Sequence, residues 1–368
     1  MESDSRSTSP IRVLVDSFAD AAFQNAQMGN AREIVSRMDP ERFHVSMFVL
    51  GEPDARIAAR KNTRLIQLPE RRKTVPILRE FLRGTHELVF YLKSSPASWC
   101  YQSLRHKWKD KRTVIGTLEG PSNLRSEPTI AREAVFLWEH TILRCDYLFS
   151  NSRSVQKSLE REYGLKSEII PTGVDSNYFV PLEERPGNTR PRVLFAGSLR
   201  TYKHPDVVVE AAARFPAADF RLAGAGPLAN ELRKRACEQN LKNVFMLGPL
   251  PAEKLRDEYQ KADIFLFPSK WEGSPKVILE AAACGLPVIA RNDYAPETVE
   301  HGGTGHLAES TEEIFSCLEG LLKNAELRRE MGRKGRDLSK KFDWDLITAQ
   351  WERVFVRLAE EQEARRAS

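Results

Sequence analysis

The sequence predicts an α/β protein of two domains built on parallel sheets, and two observations carry that prediction. Phe265–Ala290 places a strand, a loop, a helix and a second strand in succession, and strands joined through a helix pair in parallel. The chain of 368 residues is also too long for one ordinary core. Its composition, 41% hydrophobic and 29% charged, is that of a globular rather than a disordered chain.

The central stretch has its own punctuation. Asp263 to Phe267 is short, apolar and closed by Pro268 and Ser269, a buried strand feeding a loop. Ser274 is expected to cap a helix whose first position is Pro275, where the missing N–H costs nothing. Gly285 and Pro287 end that helix near Cys284, and Val288 to Ala290 is the next strand. Ligands of open parallel sheets bind beyond the carboxyl ends of the strands, where Glu272 (loop) and Glu280 (helix, second turn) fall. Eight positions of unbroken helix would set the two acids roughly 80° apart, and the break at Gly273-Ser274-Pro275 removes that restriction. The helix start between them offers N–H groups and positive potential to an anion. Hydroxyl acceptors around an anion site suit a sugar nucleotide; a solvated loop acid beside an ordinary helical acid is the plainer alternative.

With its surroundings, Ala-Asp-Ile-Phe-Leu-Phe-Pro-Ser before Glu272, Leu-Glu-Ala-Ala-Ala-Cys-Gly-Leu-Pro-Val-Ile-Ala around Glu280 and Gly-Gly-Thr-Gly-His-Leu further on, this stretch resembles family 4 glycosyltransferases. These are retaining enzymes of the GT-B fold, two facing Rossmann-like domains with an interdomain cleft. The resemblance runs from about Arg192 to Leu358 and extends more faintly over the first half. It implies an acceptor domain over 1–182, a linker over 183–190, a nucleotide-sugar domain over 191–343 and a last helix, 344–368, crossing back to the first domain. It also implies hexosyl transfer from a nucleoside diphosphate sugar to a hydroxyl of a glycan, lipid-linked or small-molecule acceptor, with no cofactor and no metal.

Composition narrows the rest. A net charge of +5 is slight for this length and argues for no nucleic-acid partner. Cys100, Cys145, Cys237, Cys284 and Cys317 are dispersed, without zinc spacing, and behind a polar start rather than a leader they suggest the reduced thiols of a cytoplasmic protein. No apolar run has the length of a membrane span, so membrane contact is expected to be peripheral if present.

In chain order, Ile11 to Asp16 reads as a strand and Met28 to Met38 as a helix. Asn25-Ala26-Gln27 stands where many family members have a glycine pair; Asn25 and Gln27 either replace those amides at the acceptor or cap the helix. His44 to Leu50, Thr63 to Leu68, Glu87 to Leu92, Thr113 to Thr117 and Tyr147 to Asn151 read as strands, with helices near Pro96 to His106 and Thr129 to Leu143. Two basic stretches, Arg60 to Arg83 and Arg105 to Arg112 around Trp108, fit either an anionic membrane face at the inner leaflet or a solvated surface. Glu119 takes the place of a family histidine that reaches toward the donor sugar, and it would accept from sugar hydroxyls; it is equally a loop acid beside Gly120-Pro121.

Pro191-Arg-Val-Leu-Phe-Ala-Gly-Ser198 reads as a strand running into a glycine turn. The resemblance assigns the following loop to the donor diphosphate: Lys203 matches the family lysine, Ser198 replaces an arginine, and Arg200 lies two positions on. Cations suit this place because the leaving diphosphate gains charge as the glycosidic bond breaks. Gly224-Ala-Gly-Pro227 reads first as architecture, and Gly248-Pro249 as the loop near the nucleotide base. The implied donor set is therefore Glu280, Gly197, Ser198, Gly248, Pro249, Gly273, Ser274, Pro275, Lys276 and Val277, with Glu272, Lys203, Arg200 and Glu119 at the chemistry. Asp343-Trp-Asp345 is an entry to the last helix, with Asp343 as its cap. Two rivals stay open: a nucleotide-sugar epimerase or hydrolase of similar fold, and a non-catalytic nucleotide-sugar-binding protein.

Overall fold

The computed structural model describes residues 9–22, 26–108, 110–122, 131–183 and 187–367. They fall into two compact units, one of Met1–Asn151, Val155–Ile170 and Trp344–Ser368, the other of Ser152–Ser154 and Pro171–Asp343.

The first unit holds strands β1 (Ile11–Phe18), β2 (Phe43–Val49), β3 (Thr63–Gln67), β4 (Leu88–Phe90), β5 (Thr113–Leu118), β6 (Tyr147–Ser150) and β7 (Glu168–Ile169). They form one sheet in the order β3-β2-β1-β4-β5-β6-β7, every pair parallel. Helices α1 (Ala26–Arg37), α2 (Ala55–Ala58), α3 (Thr74–Leu82), α4 (Pro96–Leu104), α5 (Arg132–Thr141) and α6 (Arg153–Tyr163) lie between the strands. A parallel sheet must be covered on both faces. Alternate residues of β1 supply the two cores, Val13 and Val15 on one and Leu14 on the other.

The second unit holds β8 (Arg192–Ala196), β9 (Asp219–Ala223), β10 (Val244–Gly248), β11 (Ile264–Phe267), β12 (Val288–Arg291) and β13 (Gly305–Ala308). Their order is β10-β9-β8-β11-β12-β13, again all parallel. Its helices are α7 (Pro205–Arg214), α8 (Ala229–Glu238), α9 (Ala252–Lys261), α10 (Lys276–Ala283), α11 (Thr311–Lys323) and α12 (Ala325–Ser339). The last helix, α13 (Trp344–Ala367), belongs to the first unit, where Trp351 and Phe355 pack on Phe90 with ring centroids 4.7 and 4.8 Å away. Aromatic pairs at this spacing stabilise beyond the area they bury.

Each strand order runs outward in both directions from one strand. The reversal lies between β1 and β4 in the first unit and between β8 and β11 in the second, the places where the loops at strand carboxyl ends part to admit a ligand.

Several readings change. Ser274 does not cap: α10 starts at Lys276, with Pro275 in the cap position at ψ 115° and no side-chain cap bond. Gly273 and Pro275 are buried, so packing of the loop, rather than the capping preference of serine, sets the start. Gly285 does take the left-handed φ of 74° that ends the helix. The stretch Arg60 to Arg83 contains α3, whose buried Glu80 receives Arg64 at 2.9 Å and Arg83 at 3.1 Å. In the Trp108 stretch Arg105 and Arg112 are buried, Arg105 on Asp146 at 2.7 Å and Arg112 on Asp110; Trp108 itself is exposed. Part of both basic runs therefore balances internal acids. Asp343 accepts from the backbone N–H of Ser176 at 3.1 Å and from its hydroxyl. Among the described residues no helix is long and apolar enough to cross a membrane.

Candidate functional site

The β8/β11 switch point assembles the carboxylate and cation that the sequence singles out. Behind β8 the chain passes Gly197 and Ser198 into a 3-10 turn, Thr201–Lys203, and then His204, whose φ of 48° and ψ of 48° place a non-glycine residue in the left-handed region before Pro205 opens α7. Behind β11 the loop carries Ser269, Trp271 and Glu272. The Lys203 ammonium is paired with Glu272 Oε1, and the Ser269 hydroxyl donates to the same oxygen at 2.6 Å. Both partners are nearly buried, at 14% and 12% side-chain exposure. The two loops are tied by the backbone as well, Lys270 N–H to the Tyr202 carbonyl at 3.0 Å. Lys203 also lies over the rings of Phe267 and Tyr202, 5.0 and 5.4 Å from the centroids.

Such a pair has a chemical use. The carboxylate keeps Oε2 to accept from hydroxyls, and the ammonium keeps protons for an anion. An anion arriving at Lys203 would compete with Glu272 for it and free that carboxylate to accept from hydroxyls. Arg200, by contrast, is exposed at the head of the 3-10 turn, and Ser198 is half-buried beside it.

Glu280 is half-buried on α10 and accepts from the Tyr259 hydroxyl of α9 at 3.0 Å. Burial raises its pKa, against the Lys276 charge and the Tyr259 bond. Lys276 and Val277, in the first turn of α10, are half-buried. Gly224, in the turn after β9, is architectural: an added Cβ would lie 1.8 Å from the Gly197 carbonyl oxygen, so only glycine lets the β8 and β9 loops touch. Gly248 closes this side, its carbonyl accepting from Gly224 N–H at 2.8 Å, with Pro249 exposed next to it.

Sequence reasoning missed three members. Ser269 stood inside the motif as a strand terminator only. Tyr259 lies on α9, a helix not read, although Leu255 and Tyr259 have its i,i+4 spacing. Tyr294 follows β12, is 2% exposed, and has a hydroxyl without a partner; burial, then the Glu272 charge, raise its pKa.

In the first unit Glu119, just past β5, is held rather than loose: Tyr91 O–H donates to its Oε1 at 2.5 Å and Asn30 Nδ2 at 2.9 Å. Tyr91 sits past β4 with φ 59°, an uncommon conformation for a bulky residue. Gln27 is half-buried in the first turn of α1, and Asn25 lies outside the described residues.

Residues 182–338 match the sequence model of the family described as glycosyl transferases group 1. Among curated proteins, the chain is similar to the GDP-mannose-dependent alpha-(1-6)-phosphatidylinositol monomannoside mannosyltransferase of Mycolicibacterium smegmatis, 32% identical over 54% of this chain and 56% of that protein. It is also similar to the D-inositol 3-phosphate glycosyltransferase of Pseudarthrobacter chlorophenolicus, 31% identical over 55% and 53%. The match thus spans about half the length of these relatives. Among solved structures, sucrose-phosphate synthase of Thermosynechococcus elongatus superposes with a TM-score of 0.76 at 20% identity, over 95% of this chain and 99% of that one. HepE of Anabaena, in complex with UDP and glucose, superposes with a TM-score of 0.73 at 16% identity, over 95% and 100%. Likeness over nearly the whole chain shows the fold: two Rossmann-like domains of the GT-B class.

Proposed function

We propose that the chain is a retaining glycosyltransferase that moves a sugar from a nucleoside diphosphate sugar to a hydroxyl of a glycan, lipid-linked or small-molecule acceptor. The observation that carries this reading is the Lys203–Glu272 pair at the β8/β11 switch point, inside the stretch that matches a glycosyltransferase family. The GDP-mannose used by the Mycolicibacterium relative and the complex of HepE with UDP and glucose support a nucleotide sugar as donor.

On this reading the diphosphate draws Lys203 from Glu272, with Arg200 and the amides at the start of α10 adding to its field. Glu280, fixed by Tyr259, takes ribose hydroxyls, and Glu272 orients donor-sugar hydroxyls. The glycosidic C–O bond breaks with its electron pair on the phosphate oxygen, and the acceptor oxygen bonds to the anomeric carbon on the same face. Its proton passes to the departing phosphate, so no protein nucleophile and no metal enter the scheme. Glu119, Asn25 and Gln27 belong to the sugar and acceptor side. We place the protein in the cytoplasm, with Trp108 and Arg71 to Lys73 as its contact with an anionic membrane.

The test is incubation with a panel of nucleotide sugars, reading binding and nucleotide release with and without acceptor extract. Release that Glu272→Gln abolishes supports the reading. Absence of binding overturns it, and binding without hydrolysis or transfer reduces the protein to a sugar-nucleotide receptor.

A further inference from the structure

Tyr294 is 2% exposed, and its hydroxyl has no hydrogen-bond partner. A buried tyrosine ordinarily finds a partner for its O–H, and a fold that satisfies nearly all its buried polar atoms leaves an exception where something else meets it. The place of this exception is informative. Strands β11 and β12 are parallel neighbours with Phe267 opposite Ala290. The loops that follow them therefore leave adjacent strands at the same end of the sheet, one carrying Ser269 and Glu272 and the other Tyr294.

The Tyr294 loop is fixed and strained. Buried Arg291 donates to Asp293 at 2.7 Å, Asn292 N–H to the Ala308 carbonyl at 3.0 Å, and Ala295 N–H to the Asn292 carbonyl at 2.9 Å. Ala295 has a φ of 43°, in the left-handed region that a residue with a Cβ enters only where its surroundings impose it. Backbone strain of this kind is stored at functional sites.

Glu272 is the group with a use for the hydroxyl. Both of its donors, Lys203 and Ser269, sit on Oε1, and its side chain is 12% exposed. Once a diphosphate takes Lys203, a nearly buried carboxylate is left with one serine hydroxyl, a costly state unless another donor arrives. Burial first, then the charge of Glu272, then that of Asp293 raise the Tyr294 pKa and keep its proton in place. The charge of Glu272 thus counts for more at this hydroxyl than that of the adjoining Asp293.

We propose that Tyr294 is a positioning residue of the donor site: when a nucleoside diphosphate draws Lys203 away, the Tyr294 hydroxyl donates to the Glu272 carboxylate and holds it in place for the sugar. The inference rests on the glycosyltransferase reading, which supplies the diphosphate. One proton donor replaces another at the same carboxylate, so its charge is never left bare in the buried loop.

The test is a double-mutant cycle on the full chain with Tyr294→Phe, Glu272→Gln and the two combined, read by calorimetric titration of UDP and GDP and by urea melts without nucleotide. Tyr294→Phe weakens nucleoside diphosphate binding about tenfold where Glu272 is present, as for one charge-assisted hydrogen bond. In the Glu272→Gln background, where no charge is stranded, it weakens binding by less than about twofold. Its urea midpoint without nucleotide equals the wild type's or exceeds it, because the oxygen removed had no partner. With a nucleotide sugar, kcat falls about tenfold in Tyr294→Phe and no lower in the double variant than in Glu272→Gln. Equal effects of Tyr294→Phe in the two backgrounds, or no effect in either, overturn the proposal. So does a lower urea midpoint, which reveals a partner for the hydroxyl in the free protein. A wild type that binds neither nucleotide overturns the proposed function together with this inference; one that binds and transfers but is indifferent to Tyr294→Phe counts against the inference alone.

Discussion

The two switch points use the same geometry and leave their polar groups in opposite conditions. In the second unit the charged groups satisfy one another: Lys203 with Glu272, Ser269 with Glu272, Tyr259 with Glu280, and only the Tyr294 hydroxyl is left over among the residues discussed there. In the first unit the single atoms Ser17 Oγ, Asn30 Oδ1, Lys93 Nζ and Thr117 Oγ1 remain without a hydrogen bond. A self-paired site exchanges partners when its ligand arrives and costs little to keep empty. An unmet site carries desolvated groups at about 1–3 kcal/mol each, a cost tolerated where specificity needs them. The backbone agrees, since Tyr91 and His204, both bulky and both left-handed, sit at the two crevices.

The comparison breaks first at Glu272. Glu272→Gln lowers kcat by on the order of 10²–10³, as for loss of a preorganised group at the reacting centre, while nucleoside diphosphate binding is kept because Lys203 is released; steady-state rates and calorimetry on one preparation check both. Next, the first unit holds an acid-sensitive histidine. His86 is 5% exposed, hydrogen-bonded to Ser46 at 2.9 Å, and burial lowers its pKa to about 4. The unfolded chain, with histidine near 6.5, takes the proton first, so stability present above about pH 6.5 falls as the pH drops toward 4, by up to about 3 kcal/mol. Urea melts across that range detect it, and His86→Gln flattens the slope. Third, Glu280→Gln weakens nucleoside diphosphate binding about tenfold, with kcat at saturation nearly unchanged. Smallest, Tyr259→Phe removes one buried hydrogen bond and weakens the same binding a few-fold, about 1 kcal/mol.

Much of this was legible. Strand positions follow from short apolar runs closed by Gly, Pro and Ser, and β3 and β6 end within one residue of the sequence expectation over Thr63–Leu68 and Tyr147–Asn151. The short helices were not: α2 is four residues long, and α3 is nine residues long with Pro76 in its first turn and Arg71, Arg72 and Arg83 flanking it, so its periodicity is brief. Strand order was not legible either, because local periodicity does not encode which strands meet. For that reason the sequence pointed to Lys203 and Glu272 as separate contacts of a donor, whereas 69 positions apart they meet each other. Glu119 was visible as a departure from a motif, but its holders Tyr91 and Asn30 lie 28 and 89 positions away.

Whether a nucleoside diphosphate takes Lys203 from Glu272 is read from the affinity of nucleoside diphosphate relative to nucleoside monophosphate in the wild type, Lys203→Ala and Glu272→Gln. Lys203→Ala is expected to erase about tenfold of the diphosphate preference, and Glu272→Gln to keep or increase it. A diphosphate preference unchanged in Lys203→Ala, or lost in Glu272→Gln with the fold intact, would contradict that exchange.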